Sequence, residues 1–234
     1  CAFILLDYSS LITASDNCDG QLTITQSPSI GTSIVGSTTI TMTATDDAGN
    51  SASCTFDIIP ADNVDPTISC PADVTVSADA GICTASGVSL GSPTTDDNCT
   101  VASTTNDAPA TFPLGTTTVT WTVTDGNGNT ATCTQDVTVN DTENPTIACA
   151  ADVTVSADAG ICTASGVSLG SPTTDDNCSV ASTTSDAPAI FPLGTTTVIW
   201  TVTDGSGNTA TCTQDVTVND TENPTIACAA DVTV

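Results

Sequence analysis

The sequence predicts an all-β chain built of tandem immunoglobulin-like β-sandwich domains in a rod. Three observations carry this expectation. Short runs alternate Thr with Val at period two, no segment shows a helical period, and one block recurs along the 234 residues. The block is seen by laying 67–145 on 146–224, a period of 79 residues without a gap. The two copies differ at seven positions: Ser69/Ala148, Pro71/Ala150, Thr100/Ser179, Asn106/Ser185, Thr111/Ile190, Thr120/Ile199 and Asn127/Ser206.

The strands of the middle copy follow in order. Asp73-Val74-Thr75-Val76-Ser77 alternates, as does Thr118-Val119-Thr120-Trp121-Thr122-Val123-Thr124, with Val119, Trp121 and Val123 on one face. Asp136-Val137-Thr138-Val139 repeats the pattern. Phe112-Pro113-Leu114-Gly115 reads as a tight corner, and Asp125-Gly126-Asn127-Gly128-Asn129 as a hairpin loop. Six or seven short strands in each block suit a small two-sheet sandwich. Trp121, Trp200, Phe112 and Phe191 are expected in its core, and the first copy carries Met42 at the Trp position.

The expected units are 1–65, an incomplete repeat lacking its first strand, then 66–144 and 145–223, with 224–234 as the first strand of a further repeat. In the first unit Cys1, Cys18 and Cys54 match Cys83, Cys99 and Cys133. The chain therefore reads as an internal piece of a longer array.

Composition removes most function classes. There is no Lys, Arg or His, while Asp and Glu number 27, for a formal net charge of −27. No internal salt bridge between side chains can form, and dissolved cations must balance the charge. An ordinary general base near neutral pH, a Schiff-base amine and a phosphate clamp are all missing, so neither an enzyme nor a nucleic-acid partner is expected. No apolar run approaches the ~20 residues of a membrane span, so no membrane insertion is expected in this segment. Twelve Cys at periodic places indicate disulfides and an oxidising compartment. Zinc is disfavoured, since there is neither His nor a CxxC pair.

The ordered motifs carry a family resemblance. They are Pro66-Thr67-Ile68-Ser69-Cys70-Pro71, Ala80-Gly81-Ile82-Cys83, Asp96-Asp97-Asn98-Cys99, the Phe112-to-Val119 corner and strand, Thr124 to Cys133, and Val139-Asn140-Asp141-Thr142-Glu143-Asn144-Pro145. Over the whole chain they resemble the hyalin repeat, or HYR, family. The first copy departs from the pattern, with Ser33-Ile34-Val35-Gly36 at the corner. The resemblance implies an extracellular, cell-surface module related to cell adhesion. In repeat style the array also resembles the giant SprB-type adhesins of gliding Bacteroidetes, exported by type IX secretion.

Spacing alone leaves three disulfide connectivities per four-Cys unit. The resemblance favours Cys70–Cys133 and Cys149–Cys212, because simpler hyalin repeats keep only those positions. Cys83–Cys99, Cys162–Cys178 and Cys1–Cys18 would then pair within their units. A rival scheme joins Cys99–Cys133, Cys18–Cys54, Cys1–Cys70, Cys83–Cys149 and Cys162–Cys228, and so staples neighbouring units.

Acidic clusters recur with the repeat. They comprise Asp96 and Asp97, the loop of Asp125, Asn127 and Asn129, and the linker with Asp141 and Glu143. The next copy has Asp175, Asp176, Asp204, Asn208, Asp220 and Glu222. At one end of a sandwich these hard oxygens would suit an interdomain Ca²⁺, the one cofactor expected, and not a catalytic one. The same residues also serve as turn formers. The functional expectation is a structural or adhesive stalk of disulfide-bonded repeats. Its partners would be neighbouring repeats, surface polysaccharide or other cell-surface proteins. A glycan- or protein-binding module, or a filament subunit joined by strand donation, are the alternatives.

Overall fold

The computed structural model describes residues 1–18 and 20–230. Among the described residues there are strands, one 3-10 turn at Ser9–Leu11, and no α-helix. The chain divides into two compact units. One holds Cys1–Ala72, Gly91–Ala108 and Val119–Gln135; the other holds Asp73–Leu90, Pro109–Thr118 and Asp136–Val234. The division runs through the middle repeat, so the third repeat shows the module whole.

The third repeat comprises β14 to β21, preceded by five strands of the first repeat and eight of the second. β15 (Val153–Ser156), β21 (Thr209–Asn219), β20 (Gly194–Asp204) and β18 (Val180–Ser185) form a four-stranded sheet in that order. β14 (Thr146–Ala148) pairs with β17 (Thr173–Asp175), and β16 (Thr163–Ser165) with β19 (Ile190–Pro192). β15 runs parallel to β21, Val153 opposite Val216; the other pairings are antiparallel. Alternation puts every second side chain inward. Val198 of β20 and Val216 and Val218 of β21 thus meet Ala164 of β16 and Phe191 of β19, all buried. This two-layer core is the expected sandwich.

The corner Phe191-Pro192-Leu193-Gly194 turns β19 into β20, and Gly194 has φ +94°, where a Cβ would be strained. Trp200 packs against the core, and its Nε1 donates to Gln214 Oε1 at 3.0 Å. Gln214 is fully buried, and its Nε2 donates to the carbonyls of Ala151 (2.7 Å) and Leu169 (2.9 Å). A buried amide survives here because its donor and acceptor groups have partners.

The second repeat uses the same elements: β6 (Thr67–Ser69), β7 (Val74–Ser77), β8 (Thr84–Ser86), β9 (Thr94–Asp96), β10 (Val101–Asn106), β11 (Thr111–Pro113), β12 (Gly115–Asp125) and β13 (Thr130–Asn140). In the first unit β6 pairs with β9, β10 pairs with the later half of β12, and Trp121 donates to the buried Gln135. In the second unit β7 runs parallel to β13 and β8 pairs with β11.

The first repeat has only β1 (Phe3–Ile4), β2 (Thr23–Ser27), β3 (Ser33–Ile34), β4 (Thr38–Thr45) and β5 (Ser51–Ile58). Leu5, Ile34, Ile40 and Met42 form its core. Met42 and Phe56 stand at the Trp and Gln positions of the other repeats, so the polar bridge gives way to apolar contact. The strand expected in 224–234 shows no ladder in residues 224–230, and 231–234 lie outside the described residues.

Four disulfides are formed among the described residues. Cys70–Cys133 and Cys149–Cys212 each join an opening segment to the last strand of the same repeat, with Cα atoms 5.8 Å apart. The other two correct the expected pairing. Cys83 bonds Cys178, and Cys99 bonds Cys1, with 95 and 98 intervening steps of sequence. Cys83–Cys99, Cys162–Cys178 and Cys1–Cys18 are not formed, and neither is any pair of the rival scheme. The reason lies in which loops meet. The turn bearing Cys83 faces the Asp176-Asn177-Cys178 loop of the following repeat, where Asn177 Nδ2 donates to the Ile82 carbonyl at 3.4 Å. Cys18, Cys54, Cys162 and Cys228 are free and exposed.

Candidate metal centres

Two acidic clusters lie beside the inter-repeat disulfides, one in each unit. The first gathers Asp62, Asp97 and Asp125, whose ligand oxygens all lie within 4.8 Å of one another. Asp62 comes from the linker ahead of β6, Asp97 from the loop after β9, and Asp125 from the end of β12.

Backbone geometry aims each group. Asp125 Oδ1 accepts from the backbone N–H of Asn127 (2.9 Å) and Asn129 (2.8 Å), and Oδ2 accepts from Asn129 Nδ2 (2.7 Å). Asn129 Nδ2 also donates to the Asp62 carbonyl at 3.1 Å, tying linker to hairpin. Gly126 permits the close approach of the Asp97 loop. Its N–H donates to the Thr100 carbonyl, and a Cβ there would lie 2.9 Å from Thr100 Oγ1. Burial raises the Asp125 carboxyl, but hydrogen bonds from the Asn129 amide, then the backbone N–H groups of Asn129, Asn127 and Gly128, outweigh it and hold the group below the usual carboxylate range.

The other two carboxylates are half-satisfied. Asp62 is 7% exposed; Oδ1 accepts from the Val64 N–H and Asn98 Nδ2, while Oδ2 is buried with no hydrogen-bond partner. Asp97 Oδ2 accepts from the Cys99 N–H at 2.8 Å, while Oδ1 is likewise buried and unpartnered.

The second brings Asp141 and Asp176 together beside the Cys178 sulfur, their ligand atoms within 4.8 Å of one another. Asp141 is 6% exposed, and its Oδ2, Asp176 Oδ1 and Asn177 Oδ1 are buried without partners. Asp204 is held by Asn208 and Ser206 as Asp125 is held by its loop, and burial is again outweighed. Asn208 Nδ2 donates to the Asp141 carbonyl at 3.3 Å. Cys99 and Cys178 lie close to the clusters, but their sulfurs are bonded as disulfides and offer no thiolate.

The donor set fits a hard divalent cation. Buried, unpartnered carboxylate oxygens carry a large desolvation cost, and no side chain of this protein can supply positive charge. Asp62, Asp97 and Asp125 in one cluster, and Asp141 and Asp176 in the other, would hold such a cation through oxygen, with water completing its shell.

Several expected ligands stand elsewhere. Glu143 Oε2 accepts from the Gly81 N–H at 2.8 Å, and Glu222 Oε2 from the Gly160 N–H at 2.7 Å, so both glutamates fasten turns. Asp96 and Asp175 end their strands with exposed side chains, and Asn127 contributes only its N–H to Asp125. Asp220 is exposed, its Oδ1 accepting from the Glu222 N–H. Asp62 escaped the sequence reading because its linker, Pro60-Ala61-Asp62-Asn63, has diverged; alignment with Asp141 could have found it.

The family model described as HYR domain matches residues 10–59, 61–139 and 140–218. Among curated proteins no sequence match was found. Solved structures to which the chain shows similarity include the protocadherin gammaB7 EC3-6 cis-dimer structure, at 16% identity and TM-score 0.37, covering 84% of this chain and 66% of that one. The protocadherin GammaB4 extracellular domain gives 15% identity and TM-score 0.37, covering 79% and 38%, and mouse clustered PcdhgC3 EC1-3 gives 13% and 0.35, covering 79% and 77%. The chain thus spans two thirds or less of the first two. With three successive matches running across nearly its whole length, the chain belongs to the HYR domain family.

Proposed function

We propose that this chain is a stretch of an extracellular stalk whose HYR repeats are joined in series by disulfide staples and cation-filled acidic joints. Its modules are 1–65, 66–144 and 145–223, with 224–234 opening a further one. The observation that carries the reading is the Cys83–Cys178 bond lying beside Asp141 and Asp176. A covalent tie and a charge-neutralising site at one joint resist both pulling and bending. Ca²⁺ supplies the positive charge; Asp141 and Asp176 present their free oxygens to it, while the Asn208 amide keeps the linker against the hairpin. The uniform negative charge would keep such stalks apart and extended.

No catalytic role belongs to this reading, which gives the recurring disulfides, turns and acidic loops structural work. An adhesive role would use surface polysaccharide or cell-surface proteins as partners, in the manner of a long gliding adhesin. The test pairs two measurements. Asp-N peptide mapping should return a Cys83–Cys178 peptide, and small-angle scattering should show a longer maximum dimension with Ca²⁺ than with EDTA. Equal dimensions in both conditions, with the staple intact, would remove the cation from the joint.

A further inference from the structure

We propose that the joint of Cys83 and Cys178 becomes a zinc site when its disulfide is reduced, the two thiolates holding Zn²⁺ together with Asp141 and Asp176. The site rests on the joint reading for its two carboxylates, and adds the redox state that chooses the ion.

Zinc is held by sulfur, imidazole and carboxylate, and a sequence without His or a CxxC pair shows no such set. The fold gathers one from distant residues. The Cys178 sulfur and a carboxylate oxygen of each of Asp141 and Asp176 lie within 4.8 Å of one another. The sulfur of Cys83, 95 positions from Cys178 in sequence, is bonded to the Cys178 sulfur. Ligands on one Zn²⁺ stand about 3–4 Å apart, so small side-chain rotations bring all four to a single ion. Asp141 is 6% exposed, and its Oδ2 and Asp176 Oδ1 are buried without a hydrogen-bond partner. Each carboxylate thus keeps one oxygen free for a metal. The joint of the other unit has the same parts: the sulfurs of Cys1 and Cys99 and an Asp62 oxygen lie within 4.8 Å of one another, and Asp62 Oδ2 is buried and unpartnered.

Hydrogen bonds hold both cysteine loops independently of the disulfide. On the Cys83 side, the Gly81 N–H donates to Glu143 Oε2 at 2.8 Å, and Ser86 donates its N–H and Oγ to Asp79 Oδ2 at 3.0 and 2.7 Å. On the other side, the N–H groups of Cys178 and Ser179 donate to Asp176 Oδ2 at 2.9 and 2.8 Å. Asn177 Nδ2 ties the two together, donating to the Ile82 carbonyl and Asp141 Oδ1, both at 3.4 Å. Reduction therefore leaves the sulfurs facing each other. Neither cysteine is fully buried, so a reductant reaches the bond.

Two equivalents of an external thiol cut the disulfide. Each cysteine sulfur gains one electron and one proton, and the reagent leaves as its own disulfide. Zn²⁺ then displaces both protons. The oxidised joint offers oxygen alone and suits a hard ion, whereas the reduced joint offers soft thiolate and prefers Zn²⁺.

The test uses Co²⁺ as a coloured stand-in for Zn²⁺. The full chain carries Cys18→Ser, Cys54→Ser, Cys162→Ser and Cys228→Ser, so that the exposed free thiols do not bind it. It is reduced with a dithiol, desalted without oxygen and titrated. The reduced chain should show the intense visible bands of tetrahedral cobalt–thiolate, one ion per joint, bleached by equimolar Zn²⁺ but not by Ca²⁺. The oxidised chain should show none, and Trp emission should stay at its folded position in both. Cys83→Ser with Cys178→Ser should halve the signal. Asp141→Asn, which keeps both thiols, should weaken its joint by more than about tenfold. Missing bands, a signal undiminished by the paired Cys→Ser change, an Asp141→Asn joint of unchanged affinity, or a reduced chain that unfolds overturns the proposal. Calorimetric Ca²⁺ titration of the oxidised chain tests the joint reading separately. Ca²⁺ binding without the cobalt bands refutes only the zinc site, and the bands without Ca²⁺ binding refute only the calcium joint.

Discussion

Replacing Asp62 and Asp141 together by Asn tests the joints most directly. A carboxylate oxygen of Asp62 and one of Asp97 lie within 4.8 Å of each other. Two unit charges at that separation repel by about 3.5 kcal/mol at an effective dielectric constant near 20. The chain has no cationic side chain to offset this. An Asn at position 62 keeps the acceptor for the Val64 N–H and turns an amide donor towards Asp97. The variant should therefore melt no lower than the parent in EDTA. With Ca²⁺ at one hundred times its Kd, binding to the folded state adds about 2.7 kcal/mol per site. For repeats of this size, 1 kcal/mol moves Tm by about 4–8 °C, so the parent should gain roughly 10–20 °C. The double variant should keep less than a third of that. Differential scanning calorimetry at matched ionic strength measures it, since salt also screens the net charge. A parent that melts identically with Ca²⁺ and EDTA, or a variant that keeps the full gain, refutes the reasoning.

Three further outcomes are expected. Gln214→Leu strands the Trp200 N–H and the Ala151 and Leu169 carbonyls, and should cost about 1–3 kcal/mol per group left unpaired in denaturant melts, with blue-shifted Trp emission. Gly205→Ala puts a Cβ 2.7 Å from Ser179 Oγ, and should weaken Ca²⁺ binding by pushing the Asp204 hairpin off the Asp176 loop; Ser179→Ala with it should restore part of the loss in a titration. Asp125 and Asp204 have folded pKa values below their unfolded ones, so their contribution is complete above about pH 4 and disappears as pH falls through the folded values. Asn129→Ala with Asn208→Ala should therefore flatten the acid limb of the stability profile, read by circular dichroism.

Much of the module was legible because its signals are local. The alternation through Val119, Trp121 and Val123 fixes a buried face whatever lies opposite, and all three are buried. The corner at Gly115 and the Asp125–Asn129 loop follow from short-range backbone preference, and both stand where spacing put them. The acidic linker was seen as a ligand source, yet its two carboxylates parted: Asp141 turned inward and Glu143 outward to Gly81. No periodicity distinguishes them, because the choice depends on which loop of the next repeat arrives.

The absence of Lys, Arg and His, the 79-residue period and the strand faces were settled by the sequence, since they depend on composition and on neighbours along the chain. Only the tertiary structure decided that Cys83 reaches Cys178 rather than Cys99, and that Asp62 joins Asp97 and Asp125. Those contacts join separate repeats. With near-identical repeats, sequence cannot tell a loop's own strand from its neighbour's; the approach of the folded loops, with Asn129 and Asn208 holding the linkers, makes that choice.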